Sequence, residues 1–290
     1  MTVRGLFVSG DGRLRAPWRI GIFFLVFVVL AGIVALLFQE PLSALDRWTG
    51  IKNTGGEIAV TVAIIGANVV MLCWVDRRPW SYIWMDRAAG RARVVGFGFV
   101  LGAAPIVVAT MGLLAVRWLS IEASPAGSWL IAALKVSVLL APAALFEELM
   151  SRGYILAALR DWVGMPAAVG ITSLAFGLLH LTNPGATAQP IVMVTLAGIF
   201  LAAVLLATKS LYAAWSAHFA WNWVMAVPLH VVVSGVPVPR PGYQTVDSGP
   251  DWASGGPWGP EGGAFAAAAM LAGLAWLYVR HQRTQQTLPT

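Results

Sequence analysis

Residues 129–159 read WLIAALKVSVLLAPAALFEELMSRGYILAAL. From Trp129 to Phe146 the only charge is Lys135, and the run is close to the ~20 residues that carry a helix across a hydrocarbon core. Two adjacent carboxylates, Glu147 and Glu148, end the run, and apolar sequence resumes after Gly153. The helix is therefore expected to continue past the pair, with Pro142 as a candidate kink. Glu148 and Arg152 stand at i and i+4, so they share a face and can pair. Glu147 projects about 100° away around the helix and is left to face a cavity. Solvated charges at a helix end are the plainer alternative.

Outward from this stretch the pattern repeats. Further apolar runs lie at about Arg19–Phe38, Ile58–Val75, Val94–Val116, Met165–Leu181, Ile191–Thr208, Leu211–Leu229 and Ala264–Val279. The 290 residues are 58% hydrophobic and 11% charged, against about 25% charged for a soluble domain. A soluble globular protein, a disordered chain and a disulfide scaffold are excluded. The fold expected is all-α, a polytopic membrane bundle of about eight transmembrane helices. The first run is too long for a cleaved signal peptide and is expected to stay as a helix. Lys209-Ser210 is almost the whole connection between two runs, so a tight helical hairpin is expected there.

Charge sets the orientation. With the N-terminus in the cytoplasm, Arg47, Lys52, Arg117 and Arg240 fall outside and Lys135 falls within a span, leaving the other fourteen of the 19 Lys and Arg inside. This asymmetry puts both termini in the cytoplasm. The net charge of +6 is accounted for by membrane orientation, so the lipid bilayer and not nucleic acid is the expected partner. Plasma membrane is the compartment expected. Lys135 is expected to snorkel to the outer surface. The single cysteine, Cys73, permits no internal disulfide and is expected to be a small buried hydrophobe.

The chain divides into residues 1–128 with a basic tail and three helices, a core over 129–230, an external Gly/Pro-rich loop over 231–263, and a last helix with its tail over 264–290. Pro237, Pro239, Pro241, Gly255, Gly256 and Pro257 favour irregular structure in the loop, read as a flexible connection with Trp252 and Trp258 at the membrane interface.

Ionisable residues inside a membrane are costly and functional by default. In this chain they cluster between residues 147 and 222. Besides the Glu pair there are Phe176-Gly177-Leu178-Leu179-His180 and His218-Phe219-Ala220-Trp221-Asn222. His218 and Asn222 share one helix face; helix packing through hydrogen bonds is the bland alternative. A carboxylate can take a proton from water, and His and Asn can stabilise an oxyanion. Glu147, His180 and His218 also have the composition of a catalytic zinc site, so a divalent metal is compatible with them. One geometric demand follows. Counted from the cytoplasmic side, His218 lies ~13 Å deep and His180 ~28 Å deep at 1.5 Å per residue. They meet only if the fifth helix starts near Pro166, tilts and sits towards the cytosol.

These three motifs, in this order on successive apolar helices, resemble the CPBP family of intramembrane proteases, whose best-known members are the type II CAAX prenyl endopeptidases of the Rce1 group. His180-Leu181-Thr182-Asn183-Pro184-Gly185 is similar to a frequent bacterial form of the second motif, and Gly255–Gly262 to a segment before the last helix of some bacterial members. The resemblance implies an eight-helix bundle with a polar cavity open to the cytosol. It implies that Glu147 activates water, that His180 helps to hold it, and that His218 and Asn222 stabilise the oxyanion. Glu148 and Arg152 would be a structural ion pair, and metal assistance stays open. The substrate implied is a peptide or protein, prenylated as for the best-known relatives or an unprenylated chain such as a bacteriocin precursor. The alternatives are a non-catalytic scaffold or immunity-type protein and, third, a transporter using the same polar cluster. No His-Glu-x-x-His or Gly-x-Ser-Gly occurs, and Gly10-Asp11-Gly12 lies outside the apolar runs.

Overall fold

The computed structural model describes Phe7, residues 12–236, Val238 and residues 241–286. Gly10, Asp11, Pro237, Pro239 and Arg240 lie outside the described residues. The helices are α1 (Ala16–Leu37), α2 (Gln39–Thr49), α3 (Thr54–Val70, continued as a π-helical turn over Met71–Val75), α4 (Ala92–Ala115), α5 (Trp129–Arg152), α6 (Tyr154–Val163), α7 (Met165–Leu179), α8 (Ala188–Thr208), α9 (Leu211–Ala226), α10 (Asp251–Ser254) and α11 (Ala264–Gln286).

Among the described residues, seven helical segments are long and apolar enough to cross a membrane: Ala16–Leu37, Thr54–Val75, Ala92–Ala115, Trp129–Val163, Met165–Thr182, Ala188–Thr208 and Ala264–Arg283. The chain is a multi-pass membrane protein. The eighth expected run forms α9, which has only 16 residues, about 24 Å of helix. It is buried on most of its circumference, from Leu211 through Ala226. A helix enclosed by its neighbours does not have to match the hydrocarbon thickness itself. The outward faces of the other helices are apolar: Leu25, Leu36 and Leu130 are 64%, 81% and 72% exposed, as lipid contact requires.

Tight packing holds α9 at the centre. A Cβ on Gly98 or Gly102 of α4 would collide with the backbone of Ala213 or Ala217. This is close approach by small residues four apart, the means by which membrane helices gain contact without a hydrophobic driving force. One core cluster joins Ile106, Val136, Phe200, Val204, Ala217 and Met270 from α4, α5, α8, α9 and α11. A second joins Phe23, Ile64, Met71, Tyr154, Leu156 and Ala168 from α1, α3, α6 and α7.

The second cluster ends in a buried polar network. Arg19 pairs with Asp76, and donates to the hydroxyls of Tyr82 (2.8 Å) and Tyr154 (3.0 Å). Tyr154 donates to Asp76 and Tyr82 to Asp161, each at 2.6 Å. Arg19 is 4% exposed, so a residue that reads as a flanking charge pins α1 to α3, to the turn at Trp80–Ile83 and to α6.

Three expectations are corrected. Two strands, β1 (Leu119–Gly127) and β2 (Pro241–Asp247), form an antiparallel ribbon that pairs Leu119 with Asp247 and Gly127 with Pro241. Leu119-Ser120-Ile121-Glu122-Ala123-Ser124 alternates apolar and polar residues, a short period-2 signal that apolar run length alone passes over, whereas β2 carries no such alternation. Cys73 is exposed instead of buried, because it points outward from the π-helical turn next to Trp74. Within the loop, the stretch from Ala253 to Gly263 is largely buried against the bundle, and Trp258 is 1% exposed. Trp252, at 59%, does face outward.

Candidate active site

The site is built on α5, α7 and α9. Pro142 lies inside α5, where proline removes a donor and disrupts the helical hydrogen-bond ladder. Neighbouring helices bond to the carbonyls around it: Trp215 Nε1 donates to Ala141 O and Thr61 Oγ1 to Pro142 O, both at 2.8 Å. The helix breaks at Gly153, where a Cβ would strike Leu149 O. Asn68 of α3 caps the restart, accepting from Tyr154 N at 3.1 Å while donating to Ile64 O. This fixed break sends α6 on from the Glu pair for ten residues.

That extension explains how His180 reaches the site. After ten residues of α6, the chain turns through Gly164 (φ 81°) and starts α7 at Met165. Ala168 of α7 packs into the same cluster as Tyr154–Leu159 of α6, so α7 returns along α6. The outward leg is about 15 Å and the 15-residue return about 22 Å. His180 therefore arrives ~7 Å beyond the level of Tyr154, close to Glu147, which lies seven residues before Tyr154.

Glu147, His180, His218 and Asn222 line a single cavity, together with Phe176, Ala197, Trp221, Ser234 and Glu261 among others. It has about 50 Å³ of room for water-sized molecules, several times the need of one water. Glu147 Oε2 stands 3.9 Å from His180 Nε2 and 3.7 Å from His218 Nε2. Among the described residues this buried oxygen has no hydrogen-bond partner. Separations of this size exceed a direct hydrogen bond and suit groups that share a water.

Each imidazole is held through its other nitrogen. His180 Nδ1 lies 2.8 Å from Phe176 O, one turn earlier. A carbonyl only accepts, so Nδ1 carries the proton and Nε2 presents a lone pair to the cavity. His218 Nδ1 lies 2.9 Å from Glu148 Oε1. Glu148 and Arg152 form the fully buried i,i+4 ion pair at 3.0 Å, and Arg152 also donates to Gly198 O at 3.0 Å with its guanidinium 4.5 Å above the Phe176 ring. Glu148 is thus more than a structural partner of Arg152: it orients His218. Spacing along α5 shows the pair with Arg152, while the bond to His218 is visible only once α9 is docked. Asn222 lies one turn beyond His218 on the cavity wall.

The donor types of Glu147, His180 and His218 match a two-His, one-carboxylate metal site. Their arrangement does not: among the described residues no group of three His, Cys, Asp or Glu is placed to hold a metal ion. The chemistry that these side chains support directly is activation of water by a carboxylate.

No site role is read in sequence for Ser234, Glu261 or Trp258, although the last two lie in the Gly255–Gly262 segment singled out there. The available signal was Glu261, the only acid in the Gly/Pro-rich segment Gly255–Gly263. Trp258 lies with its ring centroid 6.5 Å from that of His180.

No curated protein and no solved structure matches the chain. A family model does match: type II CAAX prenyl endopeptidase Rce1-like, over residues 127–224. The matched stretch runs from the start of α5 to the second half of α9 and contains Glu147, Glu148, Arg152, His180, His218 and Asn222. Over residues 127–224, about a third of its length, this membrane protein is similar to the type II CAAX prenyl endopeptidase Rce1-like family.

Proposed function

We propose that the chain is an intramembrane endopeptidase that hydrolyses a peptide bond with a water activated by Glu147. The observation that carries this reading is the position of Glu147 Oε2 within 4 Å of both cavity-facing imidazole nitrogens. A water between Glu147 and the lone pair of His180 Nε2 is held for in-line attack. Glu147 takes one of its protons while the water oxygen bonds to the scissile carbonyl carbon. Negative charge then collects on the carbonyl oxygen. Asn222 donates to it from its amide, and His218 from Nε2–H in its imidazolium form, which Glu148 stabilises through Nδ1. Glu147 returns the proton to the leaving nitrogen as the C–N bond breaks. Arg152 balances the charge of Glu148 and leaves Glu147 as the base.

The substrate class is a peptide or protein whose apolar segment enters between the helices, in a plasma membrane with both termini of the enzyme in the cytoplasm. The test uses the full chain in lipid nanodiscs with a pool of synthetic apolar peptides, some bearing a prenylated C-terminal cysteine. Fragments are read by mass spectrometry in heavy-oxygen water. Heavy oxygen is expected in each new carboxyl group, and Glu147→Gln is expected to slow cleavage by about 10²–10⁴-fold, the usual worth of a general base. Equal cleavage by the variant, or no cleavage of any peptide by the native chain, would overturn the reading.

A further inference from the structure

Part of the cavity wall comes from outside the matched domain. Ser234, Glu261 and Met270 line it, and all lie beyond residue 224. Glu261 is a carboxylate only 9% exposed, and among the described residues it forms no ion pair. Neutral donors hold it. Oε1 accepts from Ser234 N at 2.7 Å and from Ser234 Oγ at 2.6 Å, and Oε2 accepts from Trp221 Nε1 at 3.0 Å. Burying a carboxylate without a cation is tolerated only when such charge-assisted bonds are well placed.

Those bonds join separate parts of the fold. Trp221 sits on α9 between His218 and Asn222. Ser234 belongs to a tight turn closed by a bridge between Val233 and Val236. The loop after α7 grips this turn, because Asn183 Nδ2 donates to Ser234 O at 3.0 Å, and Gly235 (φ 78°) lies so close to Pro184 O that no Cβ fits. The segment before α11 grips it too, since Gly235 N donates to Trp258 O at 3.0 Å. Gln189 ties α8 to the same segment through Trp252 O and Gly262 O. Three loops therefore interlock as a cap at the end of the bundle where α7 and α9 finish. Glu261 is the charged group in that fastening, and the one that reaches α9. The Glu147 side chain, also on the cavity wall, is 29% exposed.

We propose that Glu261 is a positioning residue of the site: through Trp221 and Ser234 it locks the three-loop cap onto α9 and holds the His218–Asn222 wall opposite Glu147. The proposal rests on the peptidase reading for its kinetic consequence, not for its structural one, and its test separates the two.

The full chain is studied in nanodiscs in a Cys73→Ser background, with Ala197→Cys as the only thiol, on the cavity wall. A water-soluble maleimide reports access to it. Glu261→Gln places an amide N–H₂ against one of its former donors, and is expected to speed labelling about tenfold or more, the effect of unmaking a charge-assisted bond. Trp221→Phe removes the opposing indole N–H, so the double variant is expected to label more slowly than Glu261→Gln alone, a non-additive rescue. A separate thiol, Ala158→Cys in the fully buried second cluster, is expected to keep its native labelling rate in every variant. If that site also speeds up in Glu261→Gln, the variant has loosened the fold generally and the decision passes to Ser234→Ala, a milder cut in the same fastening: opening of position 197 alone supports the proposal, and opening of both sites or of neither overturns it. An unchanged rate at position 197 in Glu261→Gln, or no rescue by Trp221→Phe, overturns it. On a peptide that the native chain cleaves, Glu261→Gln is expected to lower kcat per folded molecule about tenfold, and the double variant to recover part of it. Absence of cleavage by the native chain would count against the peptidase reading and leave the labelling result standing.

Discussion

At the scale of single residues, the two adjacent glutamates differ by what encloses them. Glu148 is fully buried between Arg152 and His218. Glu147 is partly exposed and faces the two Nε2 atoms. Removing Arg152 leaves the Glu148 carboxylate buried without its counter-charge, a loss of about 3–5 kcal/mol. Arg152→Ala is therefore expected to unfold at clearly lower temperature or to fail to fold, as read by thermal denaturation in detergent. Glu147→Gln is expected to stay within about 1 kcal/mol of the native chain, because a partly exposed group away from the ion pair costs little to neutralise. If both variants lose the same stability, the assignment of separate roles is wrong. The i,i+4 spacing of Glu148 and Arg152 made their pairing legible in sequence. The grip on His218 was not legible, since it depends on two helices 70 residues apart.

At the scale of elements, helix contacts decide where those residues stand. Gly98 and Gly102 let α4 lie against the backbone of α9 at Ala213 and Ala217. Gly102→Ala is expected to cost about 1–3 kcal/mol, the usual price of overpacking, and to reduce cleavage by pushing α9 and its His218 away from α5. Unchanged stability and activity would show that the contact is slack. The turn at Trp80–Ile83 gives a second check. Burial pushes the Tyr82 hydroxyl up to about 12 from an ordinary 10.0, with the hydrogen bond to Asp161 adding to it and Arg19 opposing it. A phenol whose folded value is raised contributes stability that is fully present below pH 10 and is lost as pH climbs towards 12. Tyr82→Phe is thus expected to flatten the fall in stability across that alkaline window, measured by unfolding at a series of pH values. An identical alkaline profile would remove Tyr82 from the network's energetics.

For the whole molecule, α9 fills the middle of the bundle and the other helices carry the lipid-facing surface. With α9 counted as a crossing, the chain is expected to cross eight times, and we propose from the excess of Arg and Lys on alternate connections that both termini are cytoplasmic. Reporters fused at each terminus are expected to be active only when they are of the cytoplasmic kind. Opposite locations for the two ends would mean that α9 does not cross. The network around Arg19 adds a polar tie from α1 to α3 and α6, beside the packing of Phe23 in the second cluster. Its removal in Arg19→Leu is expected to loosen α1 from the rest, seen as faster proteolysis near residue 38 with the cavity intact.

The amino-acid sequence by itself determined the membrane class, nearly all the helices and the residue types of the site, because hydrophobic run length and i,i+4 spacing are local properties that a chain cannot hide. It also exposed its own difficulty: a His180 that counting along the chain set far too deep. Tertiary structure decided the rest. The break at Gly153 and the return through Gly164 brought His180 level with Glu147; the docking of α9 set Glu148 on His218; and the folding back of a Gly/Pro-rich loop carried Glu261 into the cavity wall and Trp258 beside His180. Each of these turns on contacts between residues distant in sequence. Burial, close approach of backbones and the need of every enclosed polar group for a partner select such contacts only when the helices are already side by side.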